Sequence, residues 1–159
     1  MTATAAEPLR VAIIGNPNTG KTTLFNALTG LRQHVGNFAG VTVERFEGSF
    51  KMPDGRRVTV VDLPGSYSLS AGSPDEQIAL EVLLDQNKTH GSPDVVLVVV
   101  DASHLERNLF LTSQVCELGL PVVVALNQID AATAAGITID VPALIHELGV
   151  PVVPTVASR

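Results

Sequence analysis

Aromatic side chains are scarce, at 4% of the 159 residues against 45% hydrophobic overall, so any core must be built from Val, Leu, Ile and Ala. That composition suits a buried parallel sheet flanked by helices. Positive charge is also short: ten Lys and Arg against sixteen Asp and Glu give a net charge of −6, with a pI near 5.0. That balance argues against a nucleic-acid footprint, which calls for a basic face or stripe, and the expected ligand is small. A single cysteine, Cys116, excludes an internal disulfide and points to a reduced, cytoplasmic compartment, with the thiol in the core. The start, Met1 to Pro8, lacks the basic and apolar regions of a signal peptide. The longest apolar run, Val95 to Val100, falls far short of the ~20 residues of a membrane helix, so any membrane segment is expected outside this chain. The length fits one domain, since domains commonly run about 100 to 200 residues.

What is present is a regular alternation. Apolar runs of strand length occur at Leu9 to Ile14, Val58 to Val61, Val95 to Val100, Val122 to Leu126 and Val150 to Val153. Between them lie residues at helical spacing: Leu24, Leu28 and Leu31; Ile78, Val82 and Leu83; Leu105, Leu109 and Cys116; and a weaker set at Leu144 and Leu148. The pattern predicts an α/β fold of parallel strands with right-handed crossovers. Within Val43 to Val61, Pro53-Asp54-Gly55 marks a hairpin turn, so a mostly parallel six-stranded sheet with one antiparallel edge strand and helices on both faces is expected. Ser103 and Glu106 have capping-box spacing and would start the third helix near Leu105.

The strongest local signal is Gly15-Asn16-Pro17-Asn18-Thr19-Gly20-Lys21-Thr22, which matches G-x-x-x-x-G-K-S/T between a buried strand and a helix. The glycines let successive backbone N–H groups turn toward phosphate oxygens, and the helix N-terminus adds positive potential. Lys21 would contact the β and γ phosphates, and the Thr22 hydroxyl would ligate Mg²⁺. Gly15, Asn16, Asn18, Thr19, Gly20, Lys21, Thr22 and Thr23 are the candidate cradle residues. Asp62-Leu63-Pro64-Gly65 follows a strand, where a P-loop protein needs a carboxylate facing Mg²⁺ through water and a glycine N–H facing the γ-phosphate.

Asn127-Gln128-Ile129-Asp130 stands at the carboxyl end of a strand, where open α/β sheets bind ligands, and resembles the base-reading N-K-x-D of GTPases. The Asp130 carboxylate would accept from guanine N1–H and the exocyclic amine, whereas adenine would face it with a lone pair. The usual lysine is Gln128, which removes a charge and leaves open whether ATP is also admitted. Val156-Ala157-Ser158 resembles the S-A-x loop whose N–H groups meet guanine O6.

Two further stretches, Val35-Gly36-Asn37-Phe38-Ala39-Gly40-Val41-Thr42-Val43-Glu44 and Asp101-Ala102-Ser103-His104-Leu105-Glu106-Arg107-Asn108-Leu109, resemble V-G-N-(W/F)-x-G-V-T-V-E and D-A-x-x-L-E-R-N-L of the ferrous iron transport protein B family. With Asp62 to Tyr67 and Asp75-Glu76-Gln77, the resemblance covers nearly the whole chain. It implies a Ras-like P-loop GTPase, the G domain of a bacterial Fe²⁺ transporter, at the cytoplasmic face of the inner membrane. The fragment itself is expected to be soluble. By the resemblance, Thr42 coordinates Mg²⁺ in the GTP state and is released on hydrolysis. Asn18 would hold an activating K⁺ that supplies the charge an arginine finger otherwise provides, and the glutamine with which Ras-like enzymes orient water is absent, Ser66 and Tyr67 standing there. Lys21, Thr42, Gly65 and Asn18 are then the catalytic candidates, and Mg²⁺ and K⁺ the implied ions. The implied partners are GTP and GDP and the helical and membrane domains of the full-length transporter, with homo-oligomers allowed through the membrane part. Residues 1–159 read as one G domain, truncated before a closing helix.

Arg107 and Asn108 read as surface residues of the third helix. His34, His90, His104 and His146 show no metal-ligand spacing. The competing readings are a soluble ribosome- or tRNA-associated regulatory GTPase, an ATP-driven enzyme, and a nucleotide-dependent binding module with little turnover.

Overall fold

The structure is a computed structural model that describes residues 7–31, 33–38, 40–85 and 92–158; Ala39, His90 and most of Met1 to Pro8 lie outside these. In chain order the elements are β1 (Leu9–Gly15), α1 (Lys21–Thr29), β2 (Gln33–Asn37), β3 (Glu44–Lys51), β4 (Arg57–Asp62), α2 (Pro74–Leu84) and β5 (Val95–Asp101). A 3₁₀ turn at Ala102–His104 then leads into α3 (Leu105–Glu117), β6 (Val122–Asn127), α4 (Ile129–Ala134), α5 (Val141–Leu148) and β7 (Val152–Pro154). One sheet orders the strands β2-β3-β4-β1-β5-β6-β7. Pairing is parallel from β4 through β1, β5 and β6 to β7, and β3 alone runs against the others.

The sheet has seven strands rather than the expected six. The extra one, β2, pairs with β3 at the outer edge, and all five of its residues are exposed. It holds one apolar residue, Val35, and so offers no apolar run to read. The expected hairpin joins β3 to β4: Met52 N–H donates to Arg56 O (2.8 Å) and Gly55 N–H to Met52 O (2.8 Å). Gly55 sits at φ +88°, a region glycine enters without the Cβ penalty.

Strand residues alternate between two apolar layers. Ala12, Ile14, Val96, Val98, Val100, Val124 and Leu126 face Ile78, Val82 and Leu83 of α2 and Leu111 and Val115 of α3. Ile13, Val58, Val60, Val99 and Ala125 face Leu24 and Phe25 of α1. Burial on both sides explains why β5 is an almost unbroken valine run. The third helix does start at Leu105, but the device differs from the expected capping box. Asp101 accepts from the Ser103 N–H (2.8 Å) and caps the 3₁₀ turn that leads into it. The helical signal at Leu144 and Leu148 becomes α5, capped by Asp140 accepting from Ala143 N–H (3.0 Å).

Candidate functional site

β1 delivers the chain to Gly15, the turn 16–20 follows, and α1 opens at Lys21. Gly20 has left-handed backbone, and no side chain caps α1, so its first N–H groups remain available to an anion. A Cβ on Gly15 would lie 2.7 Å from Val99 O, and one on Gly20 2.3 Å from Asn127 Nδ2, so both positions require glycine. Thr19 folds its hydroxyl onto Asn16 O (3.0 Å). Asn16 is buried, so only its backbone can serve a ligand in the cradle, while Asn18, Thr22 and Thr23 are exposed. Asn18 also takes positive φ, +65°, a conformation asparagine tolerates.

Asp62, at the carboxyl end of β4, is 8% exposed and forms an ion pair with Lys21 Nζ. Burial pushes its carboxyl above the ordinary carboxylate range, and the neighbouring ammonium opposes that shift. The loop after it is laid along the cradle by Leu63 N–H donating to Ile13 O (2.9 Å) and Ser66 N–H to Gly15 O (3.1 Å). Gly65 lies against Pro17, where a Cβ would come within 3.3 Å of the ring. Ser66 is buried and donates its hydroxyl to Pro64 O (3.1 Å), and Tyr67 is exposed.

The segment after β6 meets the turn 16–20 directly. Asn127 Nδ2 donates to Thr19 O (2.9 Å), and Asn127 Oδ1 accepts from the Thr155 hydroxyl (3.1 Å) and the Ala157 N–H (3.0 Å). One side chain thus joins β6, the P-loop and the loop after β7. Gln128 Nε2 reaches Asn18 O at 3.4 Å. Beside these bonds opens a cavity of about 270 Å³, lined by Gly20 and Thr23 on one side and by Asn127, Gln128 and Asp130 on another. Val156, Ala157 and Ser158 close its third side. The two base-loop segments predicted from sequence therefore converge on one cavity at the edge of the cradle. Ala131 in the same wall, and the Thr155 hydroxyl on Asn127, had no sequence signal beyond standing next to those motifs.

Thr42 is exposed in the turn between β2 and β3, which is closed by Phe38 N–H donating to Val43 O (3.0 Å). Pairing of Phe46 with Asp62 puts that turn at the same end of the sheet as the cradle.

A family model for Ferrous iron transport protein B matches residues 9–159. The chain belongs to the ferrous iron transport protein B family. The Fe(2+) transporter FeoB of Salmonella typhimurium is 57% identical over 155 residues, covering 95% of this chain and 19% of that protein. Among solved structures, the cytosolic domain of L. pneumophila FeoB matches with TM-score 0.87 and 51% identity, over 94% of this chain and 57% of that one. A GDP-bound mutant of the S. thermophilus FeoB G-domain matches with TM-score 0.84 and 49% identity, over 94% and 55%. The chain spans about a fifth of the length of the curated relatives it matches. Ferrous iron transport B membership displaces the ribosome- or tRNA-associated alternative, and the fold is the Ras-like α/β fold of FeoB G domains.

In this family member Asn108 does more than decorate α3. It is buried, its Oδ1 accepts from Asp101 N–H (3.3 Å) and its Nδ2 donates to His104 O (2.8 Å), which locks the 3₁₀ turn to the helix. His104 contacts Asp101 through Nδ1 (2.9 Å). Among the described residues no group of three or more His, Cys, Asp or Glu side chains is placed to hold a metal ion, and no helix is long and apolar enough to cross a membrane.

Proposed function

We propose that this domain binds guanine nucleotide and hydrolyses GTP to GDP and phosphate, as the G domain at the cytoplasmic face of a bacterial Fe²⁺ transporter. The observation that carries the reading is Asn127, whose bonds to Thr19 O and to the loop after β7 fix the base cavity against the phosphate cradle. A nucleoside phosphate can then be held at both ends at once.

In the cradle, the N–H groups of Asn18 to Thr22 and the Lys21 ammonium receive the phosphates. Lys21 leaves Asp62 as phosphate oxygens compete for it, which turns the carboxylate toward the Thr22 hydroxyl. These two hard oxygen donors suit Mg²⁺, which when bound offsets the charge developing between the β and γ phosphates. Asp130 reads the guanine edge, and the Val156–Ser158 loop closes on O6 once Ala157 N–H is shared with it. Thr42 reaches the γ-phosphate by movement of its exposed turn, and the Gly65 N–H donates to the same group. Asn18 would hold K⁺, which would supply beside the phosphates the charge that an arginine finger supplies elsewhere.

The remaining length of the full transporter, absent here, supplies the helical and membrane domains, the iron path and any oligomer contacts. The test is phosphate release from GTP and from ATP with Mg²⁺, in potassium and in sodium at equal ionic strength. The expected result is turnover restricted to GTP and stimulated by potassium, lost in Asn18→Ala with GDP binding retained. Equal turnover of ATP overturns the guanine reading. A second reading, a binding module with little turnover, is favoured by Ser66, whose hydroxyl is engaged within its own loop; tight GTP binding without phosphate release would establish it.

A further inference from the structure

The outer edge of the sheet is unguarded. β2, Gln33-His34-Val35-Gly36-Asn37, ends the strand order, and among the described residues no strand pairs with its far side. All its residues are exposed, Val35 at 60%. The free N–H and C=O groups of an edge recruit other strands, so soluble proteins commonly guard edges with lysine, proline, a bulge or a covering loop. β2 contains no proline and no Lys, Arg, Asp or Glu. It also has no bulge, since its register with β3 is unbroken from Gln33↔Gly48 to Asn37↔Glu44. Which groups the edge presents follows from the ladder. One step past the Asn37↔Glu44 pair, Phe38 N–H donates to Val43 O (3.0 Å), so the backbone of Phe38 faces β3. Backbone direction alternates along a strand, so His34 and Gly36 also face β3, while the N–H and C=O of Gln33, Val35 and Asn37 face outward.

From this geometry we propose that β2 is a self-pairing edge: two copies of the domain join antiparallel, two-fold about Val35, into one continuous sheet. The three outward residues are their own complement under that symmetry. Val35 meets the Val35 of the second copy and Gln33 meets its Asn37, each pair exchanging both backbone hydrogen bonds, with apolar against apolar and amide against amide. His34 falls opposite Gly36, so the strand brings no like charges together. An edge of five residues makes a weak contact, because lost freedom offsets most of the gain, and a dissociation constant of roughly 0.1 to 1 mM is expected. The contact is additional to any made by the remaining length of the transporter. On the reading given above, tethering to one membrane would raise its occupancy through effective concentration, but the contact itself does not depend on that reading.

The experiment is sedimentation velocity on this chain over a concentration series reaching about 1 mM, the weak end of the expected range. The weight-average mass of wild type is expected to climb from 16.7 kDa toward twice that value. Val35→Pro removes an outward N–H that β3 does not use, and proline is tolerated at such edge positions. It should keep the circular dichroism and melting temperature of wild type and stay at the mass of one chain throughout. Val35→Lys sets like charges directly opposite each other and should weaken association by at least about fivefold, which decides the matter if Val35→Pro does not fold. The register is read in a Cys116→Ser background with a short bismaleimide. Val35→Cys should cross-link to itself, and Gln33→Cys only when mixed with Asn37→Cys. A wild-type mass that remains that of one chain at every concentration, or association that survives both Val35 substitutions, overturns the proposal. Gln33→Cys cross-linking to itself as readily as Val35→Cys overturns the two-fold pairing about Val35.

Discussion

Gly20 carries two constraints at once, a φ of +86° and an Asn127 amide where a Cβ would be. Gly20→Ala is therefore expected to cost about 1 to 3 kcal/mol in stability, read from the urea midpoint, and to weaken GDP binding by about tenfold or more as Asn127 is displaced. Cys116 is half-buried, and burial pushes its thiol above the ordinary cysteine value. The folded state thus favours the neutral thiol, and the associated stability is full below the unfolded thiol's pKa and lost as pH rises through the folded one. Thermal scans from neutral to alkaline pH should show a decline that Cys116→Ala reduces, and iodoacetamide should label Cys116 more slowly than a free thiol. At this scale the sequence was most legible where chemistry restricts the residue type. The two P-loop glycines, Lys21, Asp62 and Asn127 all stand where the motifs put them, because a bend, a charge or a bidentate amide has few substitutes. Asn108 was misread because its role depends on the 3₁₀ turn beside it, and helical spacing alone gives no sign of that turn.

Among elements, α2 shows how a loop is fastened to a helix. Ser73 accepts from Glu76 N–H (3.2 Å), and the Glu76 carboxylate accepts from the Ser68 hydroxyl (2.9 Å) and the Gly72 N–H (2.9 Å). Ser73→Ala removes that cap and is expected to cost about 1 kcal/mol, visible as a lower melting temperature. The opposite case is β2, exposed along its whole length and paired on one side only. Amide hydrogen exchange should be fast across Gln33 to Asn37 and slowest in β5, which is covered on both faces. The same contrast explains which elements could be read. Strands β1, β5 and β6 announce themselves because a strand buried on both faces must be apolar throughout, whereas β2 and α4 bury almost nothing and leave composition unconstrained. The β3–β4 hairpin was legible through its turn, since Asp54 accepting from Arg56 N–H (2.9 Å) and Gly55 at positive φ are local requirements.

For the whole molecule, a net charge of −6 and a pI near 5.0 place the solubility minimum near pH 5, where turbidity at fixed concentration should peak. Ligand binding to the folded state alone should raise the melting temperature: GDP at about 100 times its Kd would add about 2.7 kcal/mol, and ATP at the same concentration much less. Overall topology was legible because alternating strands and helices admit few arrangements, whereas the order of strands and the edge position of β2 depend on contacts between distant segments. The Asn127 to Thr19 bond spans 108 residues. During synthesis at about 5 to 20 residues per second, the glycine loop therefore emerges about 5 to 20 s before the side chain that completes it. The nascent chain carries its most recognisable motif early and cannot complete it until β6 and the loop after β7 have been made. A nucleotide that is held at both ends therefore reports that β1, β6 and the loop after β7 have been assembled.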